Sequence, residues 1–168
     1  MVVELKVSKI DAAKLQLNSA ISLYAKDDSI VSVHTLACAS YELLIGLARS
    51  RGINNVHDDL ERRIKPEKLD EWRRTYRSAQ NALKHADRDP NGLVSLTIHQ
   101  TEVKIFMACY LIKPFAQTPD PLQNLFVSWY LIQNPSLVLE QYQAEFQPFL
   151  DQFYRLGMTK KDFFEPFI

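Results

Sequence analysis

Between Arg77 and Gly92 the chain reads RSAQNALKHADRDPNG, setting three cations, a histidine and two aspartates beside a Pro-Asn-Gly stop. Each type has a chemical use there. An imidazole changes charge near neutral pH and can move protons. Guanidinium and ammonium groups hold phosphate oxygens, and carboxylates hold cations. Loops anchored on rigid elements carry function more often than the elements themselves. The candidate ligand-binding set is therefore Arg77, Asn81, Lys84, His85 and Arg88. No catalytic or metal role is assigned to any of them, and no cofactor is expected.

Two cation sites compete with this reading. DRDPNG, Asp87 to Gly92, matches the opening half of a calcium loop, with carboxylates at alternate positions and a glycine for the sharp turn. Its second half fails, because Ile98 stands where a bidentate Glu is needed and Pro90 stiffens the loop. A helix end followed by a turn accounts for the same residues. The other pair is His34 and Cys38, four apart on one helix face and near Glu42, a spacing that brings two ligands to one metal. The residues around them are apolar. His34 is expected to find its partner across the bundle in His85 or Asp87, and a cluster of His34, His85, Asp87 and Asp89 would make a metal-dependent hydrolase.

QNALKH, Gln80 to His85, near the end of a helix in a helical chain, resembles the HEPN helical-bundle proteins, which carry Arg, often Asn, and then His. In that family the Arg and His of two subunits face each other and support metal-independent RNA cleavage; degenerate members bind nucleotides or protein partners. Asn81 and His85 fit the pattern, and Gln80 stands at the Arg position. Without that guanidinium the bidentate phosphate contact is missing. On an ideal helix Arg77 lies about 80° from His85 and Arg88 about 60°, so neither shares its face. NALKHADRDP also resembles a segment, roughly NFFKHADRDP, of a bacterial family of helical proteins with no assigned function, and SVHTLACASYELL resembles that family's second helix.

Twenty basic and twenty acidic side chains cancel, so no global field draws the protein to nucleic acid or an anionic membrane. Nine of the twenty cations fall between Arg62 and Arg88, and none between Lys113 and Arg155. The basic stretch carries Glu67, Asp70 and Glu71 among its cations, as a solvated helix face does. Four glycines leave no phosphate loop and no dinucleotide fingerprint. Cys38 and Cys109 lie far apart in apolar runs and read as buried thiols of a reducing compartment. MVVELKVSKIDAAKLQL lacks the pattern of a secretion signal, and no run of 18 apolar residues occurs, so cytoplasm and no membrane are expected.

Helices must position these groups. Ile10, Ala13, Leu17, Ala20, Ile21 and Tyr24 recur at helical spacing after Ser8 or Asp11. Asp27, Asp28 and Ser29 offer caps for a second helix, which carries Val33, Leu36, Ala37, Tyr41, Leu44, Ile45 and Ala48 on more than one face and is therefore central; Gly52 closes it. His57 to Ile64 forms a short helix, and Pro66 opens one whose stripe is Leu69, Trp72, Tyr76, Ala79, Leu83 and Ala86. LVSLTIHQ alternates like a strand yet has no partner strand, so it is either extended or part of the helix of EVKIFMACYLI. Pro114, Pro119 and Pro121 form a linker to helices over 122–132 and 136–156, and the tail TKKDFFEPFI is aromatic.

The sequence thus predicts an all-α, single-domain bundle of six or seven helices spanning 1–168. Its expected function is a non-enzymatic, HEPN-like binding or interaction module with a polar pocket or dimer groove near His85. The alternatives are a ribonuclease of HEPN type and a small metal-dependent hydrolase. Its partners are expected to be a second copy of itself and either a protein or a nucleotide or RNA. Phe126, Trp129, Tyr130, Tyr142, Phe146, Phe149, Phe153 and Tyr154 form a cation-free aromatic surface suited to dimerisation. Light scattering at micromolar concentration should then give twice 19.4 kDa; a clean monomer would mean that these aromatics are used up inside the fold.

Overall fold

The computed structural model describes residues 4–85, 87–116, 118 and 120–168, and within them eight α-helices and three single 3-10 turns. The helices are α1 (Lys9–Ala25), α2 (Ile30–Ser50), α3 (Val56–Arg63), α4 (Pro66–Lys84), α5 (Ile98–Leu111), α6 (Pro121–Gln133), α7 (Glu140–Leu156) and α8 (Lys160–Phe164). Among the described residues there is no strand. The all-helical bundle is as the sequence predicts, with one more helix than the upper count: the aromatic tail folds as α8 behind a Thr159–Asp162 capping box.

Most helix starts follow from their caps. Ser8 accepts from the Asp11 N–H, Ser29 from that of Ser32, and Asp120 from those of Leu122 and Gln123. Pro66 sits in the first turn of α4, where its missing N–H leaves no donor unpaired. LVSLTIHQ divides: Leu93–Thr97 is irregular, and Ile98 begins α5 under a Thr97–Gln100 capping box. The helix expected from Ser136 begins only at Glu140, because Pro135–Leu137 forms a 3-10 turn first. Gly157 ends α7 with φ +59, a left-handed conformation that costs a glycine nothing. Ala86 of the expected α4 stripe and Pro119 of the linker lie outside the described residues.

α2 holds the centre. It lies against α1 on one side and α5 on the other, with α4 over part of its length. Nine of its side chains are buried, including Tyr41 and Leu44, which the sequence places in the core. Its hydropathy and length would suit a membrane span, and its apolar character is spent on these neighbours. Leu17, Ile21, Leu44, Ile105, Phe126 and Phe164 are fully buried, each contributing about 1.5–3 kcal/mol by leaving water. The tail closes the far end: Phe164 meets the rings of Tyr24 and Trp129 at 6.3 and 5.9 Å. Trp129 Nε1 donates to the Tyr24 hydroxyl, which donates to Glu102 Oε1 at 2.5 Å.

The C-terminal aromatics divide between inside and outside. Phe126, Trp129, Tyr130 and Phe153 are buried, while Tyr142, Phe149 and Tyr154 are exposed.

Candidate functional site

The sequence-predicted residues do not converge on one point. α4 ends at Lys84, so His85 is its C-cap, half-buried, and Arg88 stands in the turn beyond rather than one helical turn further on. The Arg88 N–H donates to the His85 carbonyl at 3.0 Å. Asn81, His85 and Arg88 line one depression of about 190 Å³, together with Asp89 and Gly92. Lys84 points elsewhere and pairs with Glu42 at 2.6 Å. Arg77 is exposed on α4 and its charge bears on the buried groups of α2 and α5. Gln80, at the position that the HEPN resemblance gives to Arg, is turned inward and buried, and its Nε2 has no partner among the described residues.

The metal clusters expected from spacing do not assemble. His34 meets neither His85 nor Asp87: its Nδ1 lies 3.0 Å from Thr101 Oγ1 and its Nε2 3.4 Å from Cys38 Sγ. α5 reaches His34 first because it runs along α2, whereas α4 delivers its C-terminus to the surface. The His34–Cys38 spacing does make a contact, but the Cys38 thiol is buried and burial pushes its pKa up to about 11, so it stays protonated. Burial, then the charge of Lys104, lowers His34, leaving a neutral imidazole. The Asp87–Gly92 segment is an exposed turn, closed by the Gly92 N–H donating to the Asp89 carbonyl.

One triad of metal-ligand type does form among the described residues: His57, Asp58 and Glu61, with ligand atoms within 4.8 Å of one another. Arginines already hold its carboxylates. Arg49 contacts Asp58 through Nε and Nη2, and Arg73 grips Glu61 through Nε and Nη2 at 2.7 and 2.8 Å. The Arg73 bond keeps the Glu61 carboxyl below the usual range, and the Arg49 bond does the same for Asp58. His57 lies behind them, 1% exposed, with Nδ1 2.6 Å from the Tyr41 hydroxyl. Its Nε2 is 3.3 Å from Glu61 Oε1 but out of line for a hydrogen bond. These residues tie α2, α3 and α4 together.

The arrangement with the most chemical capacity lies beside that network and, His34 apart, draws its polar groups from residues that spacing did not single out. A cavity of about 200 Å³ opens between α2, α4 and α5. Exposed Thr75, Ser78, His99 and Gln100 stand at its mouth, and buried His34, Ala79 and Lys104 at its floor. Its wall is aromatic: Trp72 and Tyr76, four apart on α4, stack on each other with centroids 4.8 Å apart and an interplanar angle of 13°.

Lys104 is the unusual member. It is only 4% exposed, and its Nζ lies over the Tyr76 ring, 2.9 Å from the centroid, with the Tyr41 ring 4.9 Å away. Among the described residues it has no carboxylate partner and no hydrogen bond. Burial pushes its pKa down to about 7, and the Arg77 guanidinium acts in the same direction. The sequence carried one signal for this. Lys104 is the single cation in the run VKIFMACYLI, on the same helix face as Thr101 and Ala108, which are buried.

No known protein family, curated protein or solved structure matches the chain.

Proposed function

We propose that this protein is a ligand-binding helical module whose site is the cavity between α2, α4 and α5. The observation that carries the reading is the convergence of a few polar groups, Lys104, His34, His99 and Gln100, on a concave space with an aromatic wall. Apolar walls supply affinity and a small number of placed polar groups fix orientation. The depression beside His85 is about as large, yet apart from half-buried His85 its lining is the exposed end of α4 and the turn after it. The HEPN-like, RNA-cleaving alternative gains little from this geometry, since Lys84 is engaged by Glu42 and Gln80 faces inward.

The cavity suits a ligand about the size of one substituted aromatic ring. Calorimetric titration with phenol should show saturable binding with Kd of about 1 mM or tighter, as expected for a fragment of that size. Thr75→Phe, which narrows the mouth, should weaken it at least about tenfold, or 1.4 kcal/mol. Heats that never saturate, or an unchanged affinity in the variant, would remove the cavity as the site.

A further inference from the structure

We propose that the ligand of this cavity is a small unsaturated aldehyde or ketone, captured by Lys104 Nζ as an imine. The inference rests on the reading of the cavity as a ligand site.

Lysine is rarely buried without a counter-ion, because an uncompensated ammonium in an apolar setting is costly. Among the described residues Lys104 has none within salt-bridge distance, and the Glu42 charge bears on it only from further off. From α2 it is faced by His34, Cys38, Tyr41 and Glu42, and from α4 by Tyr76 and Arg77. Cys38 remains a thiol, and Glu42 is tied to Lys84 at 2.6 Å. Arg77 opposes a second positive charge. The surroundings therefore favour the neutral amine, which keeps a free lone pair at the floor of an open cavity. Desolvation of this kind turns a lysine into a nucleophile near neutral pH.

The step balances without any other reactant. The Nζ lone pair forms a bond to the carbonyl carbon while the C=O π pair moves to oxygen, and one N–H proton transfers to that oxygen. The carbinolamine then loses its C–O bond as the second N–H proton leaves with the hydroxyl, giving water and a C=N bond. Nothing is oxidised or reduced. Amine and imine are both neutral, so no new charge enters the apolar floor. This distinguishes a carbonyl from a carboxylate, which would require the ammonium to stay charged where burial opposes it. An apolar, conjugated body would pack against the Trp72–Tyr76 pair, and water would leave past exposed Thr75 and Ser78.

The test uses the full chain, benzaldehyde at limiting concentration and cyanoborohydride at pH 7, with adducts located by peptide mass spectrometry. At that pH about half of the Lys104 side chains carry a free amine, against roughly one in a few thousand for an ordinary lysine. Lys104 should acquire the benzyl adduct at least about tenfold faster than any other lysine. Phenol should protect it, and Lys104→Met, which keeps the volume of the side chain, should lose the fast adduct while urea unfolding shows the variant still folded. Adducts spread over surface lysines with no preference for Lys104, in a protein that still binds phenol, would overturn the carbonyl class and leave the cavity intact. Competition of benzoate with phenol, without fast labelling, would overturn it in favour of an anion site. Absence of both phenol binding and labelling would overturn the cavity reading itself.

Discussion

Lys104→Met is expected to be more stable than the wild type by about 1 to 4 kcal/mol at pH 6, the range seen when buried ionic groups are replaced by well-packed apolar residues. The ammonium has lost its hydration and has no carboxylate in exchange, only the faces of Tyr76 and Tyr41, which return about 1 to 2 kcal/mol. Methionine fills a similar volume with no charge. The gain should depend on pH. The folded pKa is about 7, far below that of an unfolded lysine, so between about pH 7 and 10 the unfolded chain binds the proton that the folded chain has released. Wild-type stability therefore gains up to about 1.4 kcal/mol per pH unit from this group, and the advantage of the variant shrinks as pH rises. Taking the difference between two proteins matters. Cys38 and Cys109, both raised by burial, ionise first in the unfolded chain and push stability down above about pH 8.5. The Cys109 contribution cancels between wild type and variant, while that of Cys38, on which the Lys104 charge itself acts, cancels only in part. Urea unfolding at pH 6, 7.5 and 9.5 should show the gap closing by about 2 kcal/mol over the last two. A gap that ignores pH, or a variant less stable at pH 6, would mean that the ammonium is compensated.

The same residue shows what could and could not be read in advance. Helix starts depend on local chemistry, and Ser8, Ser29 and Pro66 announced α1, α2 and α4 within a residue or two. The centrality of α2 followed from apolar residues on more than one face, and Tyr41 and Leu44 are buried accordingly. The end of α4 was less legible. Its apolar stripe ran on to Ala86 in the sequence, whereas the helix stops at Lys84 with His85 as its C-cap. Which residues meet across the bundle was not legible at all. His34 faces Thr101 instead of His85, and the His57–Tyr41 and Glu61–Arg73 contacts depend on how α3 folds back against α2. A periodic pattern gives each helix a face and leaves its neighbour open. Crowding of titratable residues in sequence drew attention to Arg77–Gly92, whereas crowding in space occurs around Lys104, whose neighbours come from three helices.

A pair of substitutions separates the frame from the site. Leu44→Ala is expected to cost about 2 to 5 kcal/mol, because Leu44 is fully buried in α2 between α1 and α5 and the neighbours can only partly collapse into the space left. His85→Ala should cost no more than about 0.5 kcal/mol, since its ring is half-buried and makes no side-chain hydrogen bond among the described residues. Both are read from the shift in urea midpoint at constant slope. An unchanged midpoint for Leu44→Ala would take α2 out of the centre of the fold. The histidine variant carries the functional information. With stability intact it should bind phenol as the wild type does, because the Lys104 cavity and the His85 depression share no lining residue. If His85→Ala loses phenol binding while keeping its midpoint, the ligand sits at the end of α4, and the candidate set of Arg77, Asn81, Lys84, His85 and Arg88 is where the search should return.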